Sequence, residues 1–197
     1  RLPLDAAGGA RLFDEVLTAA LHPLADAQRQ PECFFAGWRV VGLDGTEWSV
    51  TNTPALLAQL PKAATRRFTA AFAKLRLVTA VELGVHQPLA AAVGPVAQGE
   101  QTLAAVLWAK LPDHSLVIMD RLFGSPATLW QALAAWGKRP MAFLARVKDN
   151  IKVAVVERLS DGSAIVTVPA YRARRKVGVL RLREIRAEGV TAAGKTF

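Results

Sequence analysis

Two short apolar runs constrain this chain most, because each ends in an aspartate: Val40-Val41-Gly42-Leu43 stops at Asp44 and Leu116-Val117-Ile118-Met119 stops at Asp120. Both runs are β-prone and nearly free of polar residues, the pattern of a strand buried on both faces. A carboxylate placed there stands where the strand leaves the core. Two such ends at one edge of a sheet can share divalent cations. The plain alternative is two acids that cap separate strands and never meet. Between Asp44 and Asp120 lie 75 residues, so the tertiary fold decides between these outcomes.

A length of 197 residues fits one domain, or one domain and part of another. An apolar content of 52% is ample for a core. No apolar run reaches the ~18 residues that a membrane helix needs, so no membrane association is expected. The single cysteine, Cys33, excludes a disulfide framework and a cysteine-built zinc site, and it reads as a small apolar residue. A reducing cytoplasm is the expected location, and the Ala- and Arg-rich composition suggests a bacterial chain. The net charge of +9 is concentrated. Residues 1–137 hold 11 basic and 11 acidic side chains, whereas residues 138–186 hold 13 basic residues against Asp149, Glu157, Asp161 and Glu184. A basic surface of that kind is the footprint of a polyanion such as nucleic acid; a solvated face that keeps the protein soluble is the bland counterpart.

Spacing predicts a helix over 11–28, with Pro23 near its end, then a strand from Val40 to Asp44 and a tight turn at Asp44-Gly45-Thr46. Glu47 to Val50 reads as a short return strand, and residues 51–73 as a loop with helical turns. Arg76 to Gly84 and Leu89 to Val93 read as paired strands. Helices follow at Glu100–Leu111, with Leu103, Val106, Leu107 and Leu111 on one face, and at Pro126–Trp136, with Ser125 as N-cap and Gly137 as the stop. Strands are expected at Ser115–Asp120 and Met141–Val147. After Val147 the texture becomes β-rich and basic, with strand-like runs at Ile151–Leu159, Ser163–Val168 and Val177–Ile185 and a turn at Ser160-Asp161-Gly162.

Three early strands joined by turns imply antiparallel pairing, and later strands separated by helices imply parallel pairing. That order is the α/β ribonuclease-H-like mixed sheet, in which the first and fourth strands are neighbours. The fold would bring Asp44 and Asp120 together. Paired carboxylates hold two magnesium ions ~4 Å apart, one at the attacking oxygen and one at the leaving oxygen. Magnesium takes one or two carboxylates, completed by water and phosphate oxygens.

The runs Gly37-Trp38-Arg39-Val40-Val41-Gly42-Leu43-Asp44-Gly45-Thr46, Leu75-Arg76-Leu77-Val78-Thr79-Ala80-Val81-Glu82-Leu83-Gly84-Val85-His86-Gln87-Pro88 and Val117-Ile118-Met119-Asp120-Arg121-Leu122-Phe123-Gly124-Ser125 resemble the IS4-type DDE transposases, in that order along the chain. The resemblance implies a ribonuclease-H-like catalytic core and cut-and-paste transposition. In it, magnesium (or manganese) held by two aspartates and a later glutamate serves cleavage and strand transfer of transposon-end DNA. Asp44 matches the first aspartate and Asp120 the second. The implied organisation is an N-terminal helical segment over 1–36, the first part of the catalytic core over 37–149 and an incomplete β-rich insertion domain over 150–197. Double-stranded DNA, both transposon ends and target, and a homodimer on that DNA are the implied partners. A cytoplasmic, nucleoid-associated protein would follow.

The family's glutamate lies in a Tyr-x2-Arg-x3-Glu-x6-Lys string. Tyr171 and Arg174 have the first spacing, but Gly178 stands in the glutamate's place. Glu188 and Lys195 have the last spacing, but Glu184 stands where Arg belongs. The third acid is therefore expected beyond Phe197, in a longer protein. Arg121, beside Asp120, could hold a phosphate near the metals or simply pair with a surface carboxylate. Lys148, Lys152, Arg172, Arg174, Arg175 and Lys176 are candidates for DNA-backbone contacts, which position DNA without reading its sequence. His22, His86 and His114 lack metal-ligand spacing and suit turns or the surface. The string Val40 to Thr46 also resembles the Asp-x-Asp-Gly-Thr loop of haloacid-dehalogenase-like phosphatases, but Gly42 replaces their nucleophile. A non-catalytic DNA-binding or self-association remnant is the alternative from a different class.

Overall fold

The computed structural model describes residues 15–17, 19–64 and 66–187. From Phe34 onward the elements are β1 (Phe34–Phe35), β2 (Trp38–Val50), α1 (Pro54–Gln59), β3 (Ala73–Glu82), β4 (Gln87–Pro95), α2 (Glu100–Ala104), β5 (Ser115–Met119), α3 (Pro126–Trp136), β6 (Met141–Ala145), β7 (Ala154–Arg158), β8 (Ala164–Arg172) and β9 (Arg175–Glu184). The first six strands form one mixed sheet of order β4-β3-β2-β5-β6, with β1 also pairing β2. Pairings β2·β3 and β3·β4 are antiparallel, whereas β2·β5 and β5·β6 are parallel. Strands β7, β8 and β9 form a second, antiparallel sheet. Among the described residues no helix is long and apolar enough to cross a membrane.

Alternation within the strands sets the two faces of the mixed sheet. Val41, Leu43, Val78, Ala80, Val117 and Met119 point to one face and form a continuous core with Leu103, Leu107, Trp108, Leu129 and Trp136 of the helical layer. The rings of Trp108 and Trp136 meet edge to face at 5.9 Å. The Trp136 indole N–H donates to the Trp108 carbonyl at 3.1 Å.

Several expectations change on folding. Gly45 does not make a turn: β2 runs unbroken through Asp44, Gly45 and Thr46 to Val50, paired throughout with β3. Cross-strand pairs outweigh the local turn signal. Thr46 lies opposite Leu77, Trp48 opposite Leu75, and Glu47 opposite Arg76, to which it is ion-paired. Gly45 serves close packing instead, since a Cβ there would lie 2.6 Å from the Glu100 carboxyl carbon.

The long helix expected over 100–111 is also shorter. α2 stops at Ala104, and i-to-i−3 hydrogen bonds lead into a 3-10 turn at Trp108–Lys110. The Trp108 carbonyl is taken by Trp136 rather than by a following turn. Val106, expected on the buried face, is exposed.

Of the helix expected over 11–28, residues 15–17 and 19–20 are helical, and residues 11–14 and 18 lie outside the described residues. The chain leaves the helix at Leu21, ahead of Pro23, which has no N–H to give. Beyond it, the Leu24 and Ala25 N–H groups donate to the Glu82 carboxylate at 2.9 and 3.2 Å. α3 begins and ends as its sequence predicts: the Ser125 hydroxyl accepts from Thr128 N–H at 3.3 Å, Pro126 opens the helix and Gly137 (φ 60°) ends it.

Candidate functional site

The parallel ladder between β2 and β5 ends at the pair Leu43↔Met119, and the next residues on the two strands are Asp44 and Asp120. The ladder between β5 and β6 ends at Met119↔Ala145, so the residue one step on is Arg146. Asp44, Asp120 and Arg146 thus form one row, just past the ends of β5 and β6 and midway along β2. Neighbouring strands lie ~4.8 Å apart, within reach of two carboxylates that share a cation. Both aspartates are exposed, one residue beyond the buried Leu43 and Met119.

The two acids are held differently. Asp44 belongs to the β2·β3 ladder, opposite Thr79, and its Oδ1 accepts from Gly45 N–H at 2.8 Å. Asp120 begins the loop to α3, and its Oδ1 accepts from Leu122 N–H at 2.8 Å and Phe123 N–H at 3.3 Å. Gly124 N–H closes the turn on the Asp120 carbonyl at 3.0 Å. Gln101 fastens the same loop to α2, donating to the Leu122 carbonyl at 2.6 Å and to Ser125 Oγ at 3.1 Å. Oδ2 of neither aspartate takes part in these bonds. The donor set of two exposed carboxylates, open to water and phosphate oxygens, suits a hard divalent cation. Among the described residues no group of three or more His, Cys, Asp or Glu side chains is arranged to hold a metal. Glu188 and Lys195 lie outside the described residues.

The structure brings some of the candidate DNA-contacting residues together and separates others. Arg121 and Lys148 line one cleft of about 390 Å³ with Arg146, Val147, Asp149 and Asn150. Lys152 is exposed, four residues past Lys148 and outside that lining. Arg172, Arg174, Arg175 and Lys176 form a separate group, since they close the β8–β9 hairpin. Arg172 is paired with Arg175 across a turn whose two central residues, Ala173 and Arg174, have φ of 47° and 65°. The second sheet packs against α3, where Trp130 lies over Gly178 and Leu180 joins the main core.

Three charged residues escaped the sequence reading. Arg146 was hidden because Met141–Val147 read as a single strand; the strand ends at Ala145, and a polar residue after an apolar run was the available signal. Glu82 is fully buried and ion-paired with Arg39, whose guanidinium lies 5.0 Å from the Phe34 ring centroid. A lone acid inside the apolar run Ala80-Val81-Glu82-Leu83 was its signal. Glu100 lies over Gly45 on the helix-covered face, 3.8 Å from Arg76 Nε, and nothing local marked it.

No family model matches this sequence. Two Escherichia coli K12 proteins are similar to it. One, named "Putative transposase InsZ", is 32% identical over 101 residues, 50% of this chain and 33% of that protein. The other, the transposase InsG for insertion sequence element IS4, is 29% identical over 91 residues, 46% of this chain and 21% of that protein. The matches span a third or less of these relatives' lengths. Among solved structures, the piggyBac transposase synaptic complex with hairpin DNA aligns over 98% of this chain and 40% of that one, at 8% identity and a TM-score of 0.42. By its two sequence relatives, the chain is similar to the IS4-type transposases that its motifs resemble.

Proposed function

We propose that this chain is part of a DNA transposase of the cut-and-paste type, with a ribonuclease-H-like core whose Asp44 and Asp120 bind magnesium or manganese. The observation that carries this reading is the row in which Asp44 and Asp120 are neighbours at the end of a parallel ladder. Such ions, when bound, stabilise charge on the attacking and leaving oxygens of a phosphodiester. The chain's own residues do the positioning. Asp44 is fixed by the β2·β3 ladder and Asp120 by the turn that accepts two backbone N–H groups. Arg121, Arg146 and Lys148 line the adjoining cleft, which suits the phosphates flanking the cut. Lys152 and the separate hairpin group Arg172, Arg174, Arg175 and Lys176 offer further contacts to the DNA backbone. The family pattern adds a glutamate as third ligand, which we assign to the longer protein, and a homodimer on the paired transposon ends.

The test is a magnesium-dependent nicking assay on duplex DNA carrying the element's ends, using the full-length protein. Asp44→Asn and Asp120→Asn should each abolish nicking and leave DNA affinity intact. Neutralising Arg172, Arg174, Arg175 and Lys176 should weaken binding and flatten its salt dependence by ~0.9 in log–log slope per lost phosphate contact. Nicking that survives both aspartate substitutions would overturn the reading. DNA binding without any metal-dependent nicking by the unaltered protein would favour a non-catalytic remnant.

A further inference from the structure

The mixed sheet is stepped beside the candidate site. β2 continues from Leu43, its last pairing with β5, to Val50, which is seven residues (50 − 43). β3 follows it as far as Ala73, opposite Val50, and β4 reaches Pro95, opposite Leu75. A three-stranded ribbon therefore stands beyond the ends of β5 and β6, above Asp120. On β2 the residues at alternate positions from Asp44 are Thr46 and Trp48, and all three are exposed. Alternation puts them on one face.

Trp48 is 55% exposed, unusual for an indole on a strand. Its register partner is Leu75, itself opposite Pro95, so it rises from an apolar row. Four residues of strand place it ~13 Å from Asp44. At 3.4 Å per step of a DNA strand that is about four nucleotides.

The chain then enters a segment, residues 51–72, that contains Lys62, Arg66 and Arg67 and no acidic residue. Asn52 closes the base of this segment, donating to the Ala71 carbonyl at 2.9 Å and accepting from Ala73 N–H at 3.3 Å. A path that leaves the two aspartates along the ribbon thus meets an exposed aromatic face and then positive charge. Alternating stacking and charge in this way is how proteins hold unpaired nucleic acid. Bases inside a duplex are covered by their neighbours. Only a terminal or unpaired base offers a free face to an indole.

We propose that Trp48 is a stacking platform for a terminal or unpaired nucleobase of the DNA whose phosphate lies at Asp44 and Asp120, with Lys62 and Arg66 beyond it taking the backbone. This rests on the transposase reading of the site. The experiment measures binding of the full-length protein to a blunt duplex and to the same duplex with a short single-stranded thymine extension. The unaltered protein should prefer the extended duplex. Trp48→Ala should cut affinity for it about five- to hundredfold, with little change on the blunt duplex. Trp48→Phe keeps an aromatic face and should retain most of the preference. Nicking of the blunt duplex is scored in parallel, so failure of the metal site appears separately from failure of the platform. Equal affinity of the unaltered protein for both probes overturns the inference. So does a Trp48→Ala variant that keeps the preference, or one that loses stability or self-association and leaves DNA affinity unchanged, which would mean that protein covers the indole.

Discussion

Gly124→Ala isolates the contact that fixes the Asp120 loop. A Cβ at Gly124 would lie 2.2 Å from the Arg146 carbonyl oxygen and 3.1 Å from its carbonyl carbon. Carbon–oxygen contacts in proteins lie near 3.3–3.6 Å, so the two backbones must part by about 1 Å. Arg146 resists, because its N–H donates to the Met119 carbonyl at 3.2 Å as an extension of the β5·β6 ladder. The loop from Asp120 to Ser125 therefore yields. Overpacking of this kind costs ~1–3 kcal/mol, and the opposing gain from a less flexible unfolded chain is ~0.4–1 kcal/mol. Backbone-on-backbone overlap belongs at the upper end, so a net loss of about 2 kcal/mol is expected. With a urea slope of ~1–3 kcal/mol per molar, the unfolding midpoint of this chain should fall by about 1 M. On the proposed function, displacing Asp120 by ~1 Å in the full-length protein should reduce metal-dependent nicking about a hundredfold. The measurements are urea unfolding followed by tryptophan fluorescence, and single-turnover nicking on end-bearing duplex. An unchanged midpoint would refute the packing argument. A lowered midpoint with full nicking under conditions that keep the variant folded would refute the link between this contact and Asp120.

Three further outcomes follow from other contacts. Gly178→Ala would place its Cβ 2.1 Å from the Trp130 ring. The obstacle is a side chain, so the ~1–3 kcal/mol loss should be largely recovered in the Gly178→Ala/Trp130→Leu double variant, checked by a double-mutant cycle in urea; strict additivity would defeat this. Glu82→Ala removes a buried carboxylate that pairs with Arg39 and accepts from Leu24 and Ala25 N–H, so a loss of ~3–5 kcal/mol and faster hydrogen exchange at residues 24 and 25 are expected, and unchanged exchange would argue against the clamp. Hydrogen bonds from Arg76 and then Lys74 hold the Glu47 carboxyl below its ordinary value. A depressed carboxylate stabilises the fold above its unfolded pKa of ~4.3 and loses that contribution as pH falls through the folded value. Arg76→Ala should therefore flatten the acid limb of stability below about pH 4, read from urea midpoints across pH; an unchanged limb would remove Glu47 from the account.

How much of this was legible in the sequence depended on the range of the interactions. The strand cores at Val40–Leu43 and Leu116–Met119 carried their own signal in apolar, β-branched runs. So did the α3 helix, whose Ser125, Pro126 and Gly137 are local devices. The order of strands and helices was enough to expect β2 beside β5, and hence Asp44 beside Asp120. What failed depended on partners distant in sequence. Asp44-Gly45-Thr46 is locally a turn, yet Leu77, Arg76 and Leu75, some 30 residues on, keep it extended. The Trp108 carbonyl is taken by Trp136, 28 residues on, and the N–H groups of Leu24 and Ala25 beyond the first helix by Glu82. Arg146 was missed because its place in the row with the aspartates exists only once β6 has paired with β5.

That row has an electrostatic consequence. Two carboxylates on adjacent strands repel, and a cation held between them relieves that repulsion. Arg146 stands next in line, on the far side of Asp120 from Asp44. An Arg turned onto Asp120 would neutralise that acid and compete with a divalent ion. An Arg turned into the cleft with Arg121 and Lys148 leaves the acids to the ion and offers its fork to a phosphate. The lining of the cleft supports the second arrangement, and the ion-paired residues nearby do not draw on Arg146: Glu47 is taken by Arg76 and Lys74, and Glu100 lies against Arg76 on the other face. Positive and negative groups are thereby sorted within one sheet edge. The acids face outward where the β2·β5 ladder ends, Arg121 follows Asp120, and Arg146 and Lys148 follow the end of the neighbouring strand β6. On the proposed function, a phosphodiester laid across that edge would meet the two carboxylates and Arg146 on adjacent strands, at the spacing of the parallel ladders.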